Sequence, residues 1–152
     1  AEASMSHAYP FSLTWNGSTL ADPYTRDAVA AAQGKAPIPV SSGAEYGGDD
    51  SRWNPEDLLG SALATCHMLT FLALCAKTRT GVVAYEDHAE SILDTVDKVT
   101  SIVEIKLHPT IRVAKGVDPA KVKELFEKAH KYCFVANSIK SKVTMEPEVI
   151  EG

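Results

Sequence analysis

Three cysteines, Cys66, Cys75 and Cys133, are the residues of this 152-residue chain whose chemistry depends most on their surroundings. An unperturbed thiol titrates near about 8.5, so it needs a cation and a dry pocket to be a selective nucleophile at neutral pH. The residues alone favour packing, because a free cysteine usually behaves as a small buried hydrophobic side chain. Cys75 would point to the opposite side of a helix from Cys66, and Cys133 extends an apolar stripe that begins at Val122.

Histidines beside two of these cysteines suggest a second chemistry, a zinc site. His67 follows Cys66, and His130 precedes Cys133 by three positions. Thiolate and imidazole ligands suit zinc. Neighbouring residues on a helix point about 100° apart, however, so Cys66 and His67 would not both face one ion without distortion. We therefore predict no metal site and interpret His67 as a packed or interface histidine.

A long apolar helix must position Cys66. Asn54 is a good N-cap, Pro55 suits the first helical position, and the two acidic residues that follow favour the positive end of the helix dipole. Lys77 suits the last turn and Gly81 is a stop signal, so we predict a helix from Pro55 to about Lys77.

This helix contains no charged side chain over residues 58–76, which meets the bare length rule for a membrane span. Polar residues interrupt the run, the mean hydropathy of the chain is −0.10, and there is no second candidate span. A soluble helix that is apolar on every side is buried on every side. We therefore predict a buried helix and no membrane partner.

Short strands are predicted before the long helix. Alternation from Phe11 to Trp15, followed by the turn signal Asn16-Gly17, predicts a half-buried strand that closes in a hairpin. A second strand is predicted within residues 26–33 and a third at Ile38–Val40. Residues 41–51 are rich in loop formers, which predicts an exposed connection.

The C-terminal part predicts further strands around an amphipathic helix. Residues 82–93 are strand-like, and residues 103–113 alternate with period two, with Pro109 favouring an edge or a bulge. Asp118-Pro119 starts a second helix, and residues 142–149 alternate as a last strand. The apolar stripe of that helix is Val122, Leu125, Phe126 and Ala129. The predicted order is β-β-β-α-β-β-α-β, an α+β class with largely antiparallel strands.

Composition limits the class of protein. With 45% apolar and 23% charged residues the chain is typical of a soluble globular protein with one core. The net charge is −5 and no segment gathers a run of basic residues, so we predict no nucleic-acid partner. An odd number of cysteines fits a reducing cytoplasm better than secretion. Residues 1–4 are interpreted as an expression scar before a start at Met5.

The motifs together resemble one known family. Asn54-Pro55-Glu56 opens the long helix, Cys66 follows Glu56 by ten residues, and Cys133 stands near the end of the later helix. This combination resembles the OsmC/Ohr family, the osmotically inducible and organic-hydroperoxide-resistance proteins, from the first hairpin to the last strand. The resemblance implies antiparallel sheets packed on a long central helix in an intertwined homodimer. We predict a single domain over 5–152, divided into a β-hairpin region (5–51), a central helix (54–79) and a β-β-α-β region (81–152).

The resemblance also implies roles for four residues. Cys66 is the thiolate that attacks a hydroperoxide to give a sulfenic acid, and Cys133 is the thiol that resolves it to a disulfide. An arginine of the N-terminal sheet, held by the glutamate of the motif, corresponds to Arg26 and Glu56. Arg52, just before the helix, could supply the same charge. The residues alone allow plainer roles, with Glu56 stabilising the helix dipole and Arg26 solvated on a strand.

The sequence departs from the hydroperoxide-resistance branch at two positions. His67 stands where an aromatic residue commonly follows the first cysteine, and Phe134 stands where a proline commonly follows the second. The expected function is a cytoplasmic thiol peroxidase that acts on organic hydroperoxides, needs no cofactor, and is reduced by a dithiol such as a lipoylated protein. The alternative is a non-catalytic dimeric binding module that holds a lipid-like ligand in an apolar interface pocket.

Overall fold

A computed structural model describes residues 6–152. The chain divides into two compact units, one ending at Pro55 and the other covering Glu56–Gly152. The predicted expression scar and the start at Met5 lie outside the described residues. The single domain over 5–152 stays a prediction.

The first unit contains one antiparallel sheet in the order β1-β2-β3, formed by Ser12–Trp15, Ala28–Ala31 and Ile38–Val40. The second and third strands lie where they were predicted. The predicted hairpin at Asn16-Gly17 is wrong, because Trp15 pairs with Ala28 across residues 16–27. The Trp15 indole N–H donates to the carbonyl oxygen of Thr25 at 2.8 Å and anchors this longer connection. All four β1 residues are exposed, so the strand is not half-buried.

The predicted connection over residues 41–51 is exposed only in part. Ser41 is buried, donates from its hydroxyl to Asp27 Oδ1 at 3.0 Å and accepts from the Asp49 N–H at 3.1 Å. A short 3₁₀ turn covers Ala44–Tyr46. The polar residues of this loop therefore bond to each other and to Asp27, the residue before β2, rather than only to solvent.

The long helix α1 spans Pro55–Lys77, in agreement with the predicted bounds. The predicted stop at Gly81 is wrong. Arg79 takes the left-handed conformation, with φ of 55°, and the Thr80 N–H donates to the Cys75 carbonyl oxygen at 2.8 Å. A non-glycine residue therefore closes the helix, two positions before the glycine that the sequence pattern favoured.

The second unit contains the helix α2 (Pro119–Tyr132), which follows β7 in the chain. Its strands form two three-stranded sheets, in the orders β4-β7-β9 and β5-β6-β8. The strands are β4 (Val82–Asp87), β5 (Glu90–Val96), β6 (Val99–Leu107), β7 (Pro109–Val113), β8 (Lys142–Met145) and β9 (Glu148–Glu151). The β6-β8 and β7-β9 pairs are parallel and the other pairs are antiparallel. The α+β class and the mostly antiparallel pairing are confirmed.

Each strand predicted after α1 is divided into two in the structure. The prediction that Pro109 marks an edge or a bulge is wrong. Pro109 is the first residue of β7, the middle strand of its sheet, and stands where the chain passes from one sheet to the other. Proline has no N–H for a sheet hydrogen bond, so it is tolerated at the first position of a strand. Pro147 lies in the short connection between β8 and β9. Asp97 and Lys98, both with positive φ, form the two-residue turn between β5 and β6.

The core of the second unit lies between the two helices and the strands. The predicted stripe of α2 is confirmed, since Val122, Leu125, Phe126 and Ala129 are all buried. The strands contribute Ile105, Leu107, Ile111 and Val113.

The prediction that α1 is buried on every side is wrong for the single chain. Its buried residues recur every three or four positions and so occupy one face: Gly60, Leu63, His67, Phe71 and Cys75. Leu69 is 57% exposed. Among the described residues α1 alone is long and apolar enough to cross a membrane, a test that core helices of soluble proteins also pass.

Candidate active site

Two of the three cysteines meet within the second unit. Cys66 lies in the middle of α1, half-buried, and packs against the core. Cys133 is the fully buried residue that caps the C-terminal end of α2. Both helices pack on the same core, and this packing brings the Cys133 thiol into hydrogen-bond contact with the Cys66 sulfur. Both thiols are free.

The surroundings of Cys66 favour its thiolate. Burial raises the pKa of the Cys66 thiol, but hydrogen bonds from the Val135 N–H, the Cys133 thiol, the Phe134 N–H and the Thr70 hydroxyl together lower it below its usual value. All of these donors are uncharged, and each stabilises the anion more than the neutral thiol. The Thr70 hydroxyl also donates to the Cys66 carbonyl oxygen at 2.8 Å, and its single proton serves one acceptor at a time.

Cys133 is perturbed in the opposite direction. Burial raises the pKa of the Cys133 thiol most, the Ala136 and Val135 N–H groups lower it, and the neighbouring Cys66 sulfur raises it further. Within the pair, Cys66 therefore ionises first while Cys133 keeps its proton. The arrangement provides one nucleophilic sulfur and, in contact with it, a second thiol that can later form a disulfide.

Cys75 does not belong to this pair. It is buried, and burial raises the pKa of its thiol to about 11. A thiol with so high a pKa is protonated at neutral pH and is a poor nucleophile. The structure thus places Cys75 in the core, as the residues alone indicated.

His67 is a packed histidine. Its ring is fully buried against Phe126, with a centroid distance of 4.3 Å, and its Nε2 lies 2.9 Å from the Phe126 carbonyl oxygen. The carbonyl can only accept, so Nε2 carries the proton, and Nδ1 is buried without a hydrogen-bond partner. Burial lowers the pKa of His67 to about 4. Within residues 6–152, no group of three or more His, Cys, Asp or Glu side chains is arranged to hold a metal ion.

The other candidate residues lie on both sides of the unit boundary. In the first unit, Arg26 stacks its guanidinium over the Tyr24 ring at 4.1 Å and donates to the Tyr24 carbonyl oxygen at 2.9 Å. Arg52, in the same unit, lies 3.5 Å from Asp27 and 3.6 Å from Asp49. Glu56 belongs to the second unit, in the first turn of α1. The roles that the resemblance gives to Arg26 and Glu56 stay predictions.

Comparison with known proteins identifies the family. A family model described as OsmC-like protein matches residues 48–148, most of the chain. The chain belongs to the OsmC-like family. The predicted resemblance is thereby confirmed. None of the curated proteins matches the sequence.

Solved structures share the fold of this OsmC-like chain. An OsmC-like protein of unknown function from Vibrio cholerae is 27% identical, with a TM-score of 0.85, covering 93% of this chain and 99% of that one. An organic hydroperoxide resistance protein from Elizabethkingia anophelis is 19% identical, with a TM-score of 0.69 and coverages of 97% and 100%. The Bacillus subtilis organic hydroperoxide resistance protein is 16% identical, with a TM-score of 0.64 and coverages of 95% and 98%. The OsmC/Ohr-like fold is confirmed.

Sequence reasoning missed four groups that contact the two thiols of this OsmC-like chain. They are the backbone N–H groups of Phe134, Val135 and Ala136, and the Thr70 hydroxyl. A backbone donor leaves no side-chain signature, so no residue pattern could have indicated the first three. Thr70 stands four positions after Cys66, one helical turn away, and that spacing could have indicated it.

The buried His67 should make folding of this protein sensitive to acid. The unfolded chain takes up a proton near pH 6.5, whereas folding lowers the pKa to about 4, so the unfolded state binds more protons between these values. Stability is therefore lost as pH falls through this window, by about 2 kcal/mol at pH 5. Urea unfolding of the wild type and His67→Leu at pH 7.5 and pH 5 isolates this contribution. An equal loss of stability in both proteins would contradict it.

Proposed function

We propose that this OsmC-like protein is a thiol-dependent peroxidase that reduces organic hydroperoxides. The observation that carries the proposal is the contact between two thiols whose pKa values are shifted in opposite directions, down for Cys66 and up for Cys133. Two structures with the same fold are named organic hydroperoxide resistance proteins. Their names support the choice of substrate class, and the thiol pair of this chain supports the reaction.

The proposed reaction has three steps. The Cys66 thiolate attacks the terminal oxygen of the hydroperoxide, the O–O bond breaks, and the alkoxide takes a proton and leaves as an alcohol. The Cys133 thiol then attacks the resulting Cys66 sulfenic acid, so that an S–S bond forms and water leaves. A dithiol supplies two electrons and two protons and returns the disulfide to two thiols. A lipoylated protein is the class of reductant that the family resemblance favours.

The family resemblance also implies a positive charge that favours the Cys66 thiolate. We propose that Arg26, held in position by Glu56, supplies this charge. The charge of Arg52 is already offset by Asp27 and Asp49, which favours Arg26 over it. The location in a reducing cytoplasm stays part of the proposal, on the odd number of cysteines in the sequence.

A homodimer is a further part of the proposal. The single chain leaves the face of α1 around Leu69 exposed, and Phe134 beside the thiol pair is 81% exposed. Apolar surface of this kind is commonly covered by a second copy in a symmetric dimer. Sedimentation velocity at micromolar concentration should show a species of twice 16.3 kDa. A stable monomer at that concentration would contradict the dimer.

Stopped-flow mixing with cumene hydroperoxide tests the reaction. The reduced wild-type protein should consume about one equivalent of hydroperoxide and lose two free thiols per chain, and a dithiol should restore both. A protein that binds cumene hydroperoxide without losing thiols would instead be the non-catalytic binding module. In that case the cysteines would serve packing only.

A further inference from the structure

We propose that Tyr24 and Gly47 are positioning residues that hold the Arg26 guanidinium in one place without neutralising its charge. The inference deepens the proposed function, and its catalytic meaning rests on that function, in which Arg26 supplies the positive charge that favours the Cys66 thiolate. The contacts that carry the inference all lie within the first unit. They can therefore be tested on Arg26 itself as well as on Cys66.

Tyr24 contacts Arg26 in two ways. The guanidinium carbon lies over the Tyr24 ring, 4.1 Å from the ring centroid, and Nη1 donates to the Tyr24 carbonyl oxygen at 2.9 Å. The ring attracts the cation to its face, and the carbonyl oxygen fixes the direction of one N–H group. Both contacts together confine a long and otherwise flexible side chain to a small region.

Gly47 lies against the same guanidinium. A Cβ atom at position 47 would lie 3.0 Å from Cζ of Arg26, 3.1 Å from Nη1 and 3.2 Å from Nε. These distances are shorter than an ordinary van der Waals contact, so a larger residue at this position would push the guanidinium away. Gly47 also takes the left-handed conformation, with φ of 83°, and its N–H donates to the Ala44 carbonyl oxygen at 3.0 Å. A glycine is therefore what allows the loop to approach Arg26 this closely.

The loop that carries Gly47 is anchored beside Arg26. Ser41, at the start of the loop, donates to Asp27 Oδ1 at 3.0 Å, and the Asp49 N–H, near its other end, donates to Ser41 Oγ at 3.1 Å. Asp27 follows Arg26 in the chain, so the loop closes on the segment whose side chain it contacts. Hydrogen bonds outside the guanidinium contact therefore fix the place of Gly47.

The groups that hold Arg26 within the first unit are uncharged. Among residues 6–55 the ion pairs are those of Arg52 with Asp27 and with Asp49, and Arg26 forms none. An aromatic ring and a carbonyl oxygen attract a cation but, unlike a carboxylate, carry no net charge that cancels its field. Tyr24 and Gly47 can thus orient Arg26 and leave its charge for an anion.

Gly47→Ala and Gly34→Ala form a matched pair of variants. Both glycines have positive φ, 83° and 76°, so alanine strains the backbone similarly at each. A Cβ atom at position 34 would have no heavy atom within 4 Å, whereas one at position 47 would meet the guanidinium. The difference between the two variants therefore measures the displacement of Arg26.

Tyr24→Leu and Tyr24→Phe form a second matched pair, because phenylalanine keeps the aromatic face that leucine removes. The Tyr24 side chain is 38% exposed, so neither change should disturb the core. This pair decides the question if Gly47→Ala does not fold. Arg26→Gln completes the set and gives the full effect of losing the charge.

The first readout is the rate of carbamidomethylation of Cys66 between pH 4.5 and 9, followed by mass spectrometry of the reduced full-length protein. Arg26→Gln should raise the midpoint of this profile by at least about one pH unit, with about tenfold slower alkylation below the midpoint. Gly47→Ala and Tyr24→Leu should each raise it by about half a unit, while Gly34→Ala and Tyr24→Phe should keep the wild-type midpoint. If Arg26→Gln shifts the midpoint, equal midpoints within either pair would overturn the proposal.

The Nε–H resonance of Arg26, assigned by its loss in Arg26→Gln, separates this inference from the proposed function. In the wild type it should lie upfield of the resonance of a solvated arginine, because the guanidinium lies over the shielding face of the Tyr24 ring. The upfield shift should persist in Tyr24→Phe and Gly34→Ala and be lost in Tyr24→Leu and Gly47→Ala. A wild-type resonance at the solvated position would overturn the proposal. An unchanged Cys66 midpoint in Arg26→Gln, with the upfield shifts as expected, would overturn only the role of Arg26 in the proposed function.

Discussion

Cys66→Ser should abolish reduction of cumene hydroperoxide, lowering the turnover number by at least about a thousandfold. A serine hydroxyl is not ionised at neutral pH, and the uncharged hydrogen-bond donors around position 66 cannot lower its pKa far enough to provide an alkoxide. Serine is nearly isosteric with cysteine and sits at a half-buried position, so the fold should persist. The measurement is hydroperoxide consumption in the presence of a dithiol, with circular dichroism to verify folding.

Cys75→Ala is the matched control for that experiment. Cys75 lies in the same helix but is buried in the core, so its loss should leave a small cavity and cost about 1 kcal/mol of stability. The folded fraction should keep its turnover, because the Cys75 thiol has a pKa of about 11 and is protonated at neutral pH. Wild-type turnover in Cys66→Ser, or loss of turnover in folded Cys75→Ala, would show that the thiols have been assigned wrongly.

The two helices that carry the reactive thiols could be predicted from the sequence because their signals are local. Pro55 after a good N-cap fixes the start of α1, and Asp118 before Pro119 fixes that of α2, where the Asp118 side chain accepts from the Ala120 N–H at 3.0 Å. The stripe of α2 follows from helical periodicity alone. These signals also place Cys66 and Cys133 on elements that share a core, but they do not show that the sulfurs meet.

Contacts between distant segments account for most of what the sequence did not predict. Trp15 anchors the long connection of the first sheet through the Thr25 carbonyl oxygen, a bond that overrides the turn signal at Asn16-Gly17. Pro109 stands where the chain passes from one sheet to the other, and it begins a middle strand rather than an edge strand. The lowered pKa of Cys66 depends on backbone donors near Cys133, more than sixty residues away in sequence. No local pattern encodes such a contact.

Cys133→Ser should separate the first chemical step from the second. The serine hydroxyl can still donate a hydrogen bond to the Cys66 sulfur, so Cys66 should remain a nucleophile and consume about one equivalent of hydroperoxide. The sulfenic acid then has no thiol in contact with it, and further hydroperoxide oxidises it to a sulfinic acid. Wild-type protein should instead stop at a disulfide, which protects Cys66 and which a dithiol reverses.

Mass spectrometry after one equivalent of cumene hydroperoxide distinguishes the two products of this experiment. The wild type should lose two hydrogen atoms and yield a peptide pair linked through Cys66 and Cys133, while Cys133→Ser should gain one oxygen atom on Cys66. After ten equivalents the variant should gain a second oxygen atom, and the wild type should be unchanged. Cys75→Ala should behave as the wild type, because a disulfide between Cys66 and Cys75 is excluded by their positions on opposite faces of α1. A wild-type product without the linkage between Cys66 and Cys133 would mean that the contact between the two thiols serves packing rather than the second step of catalysis.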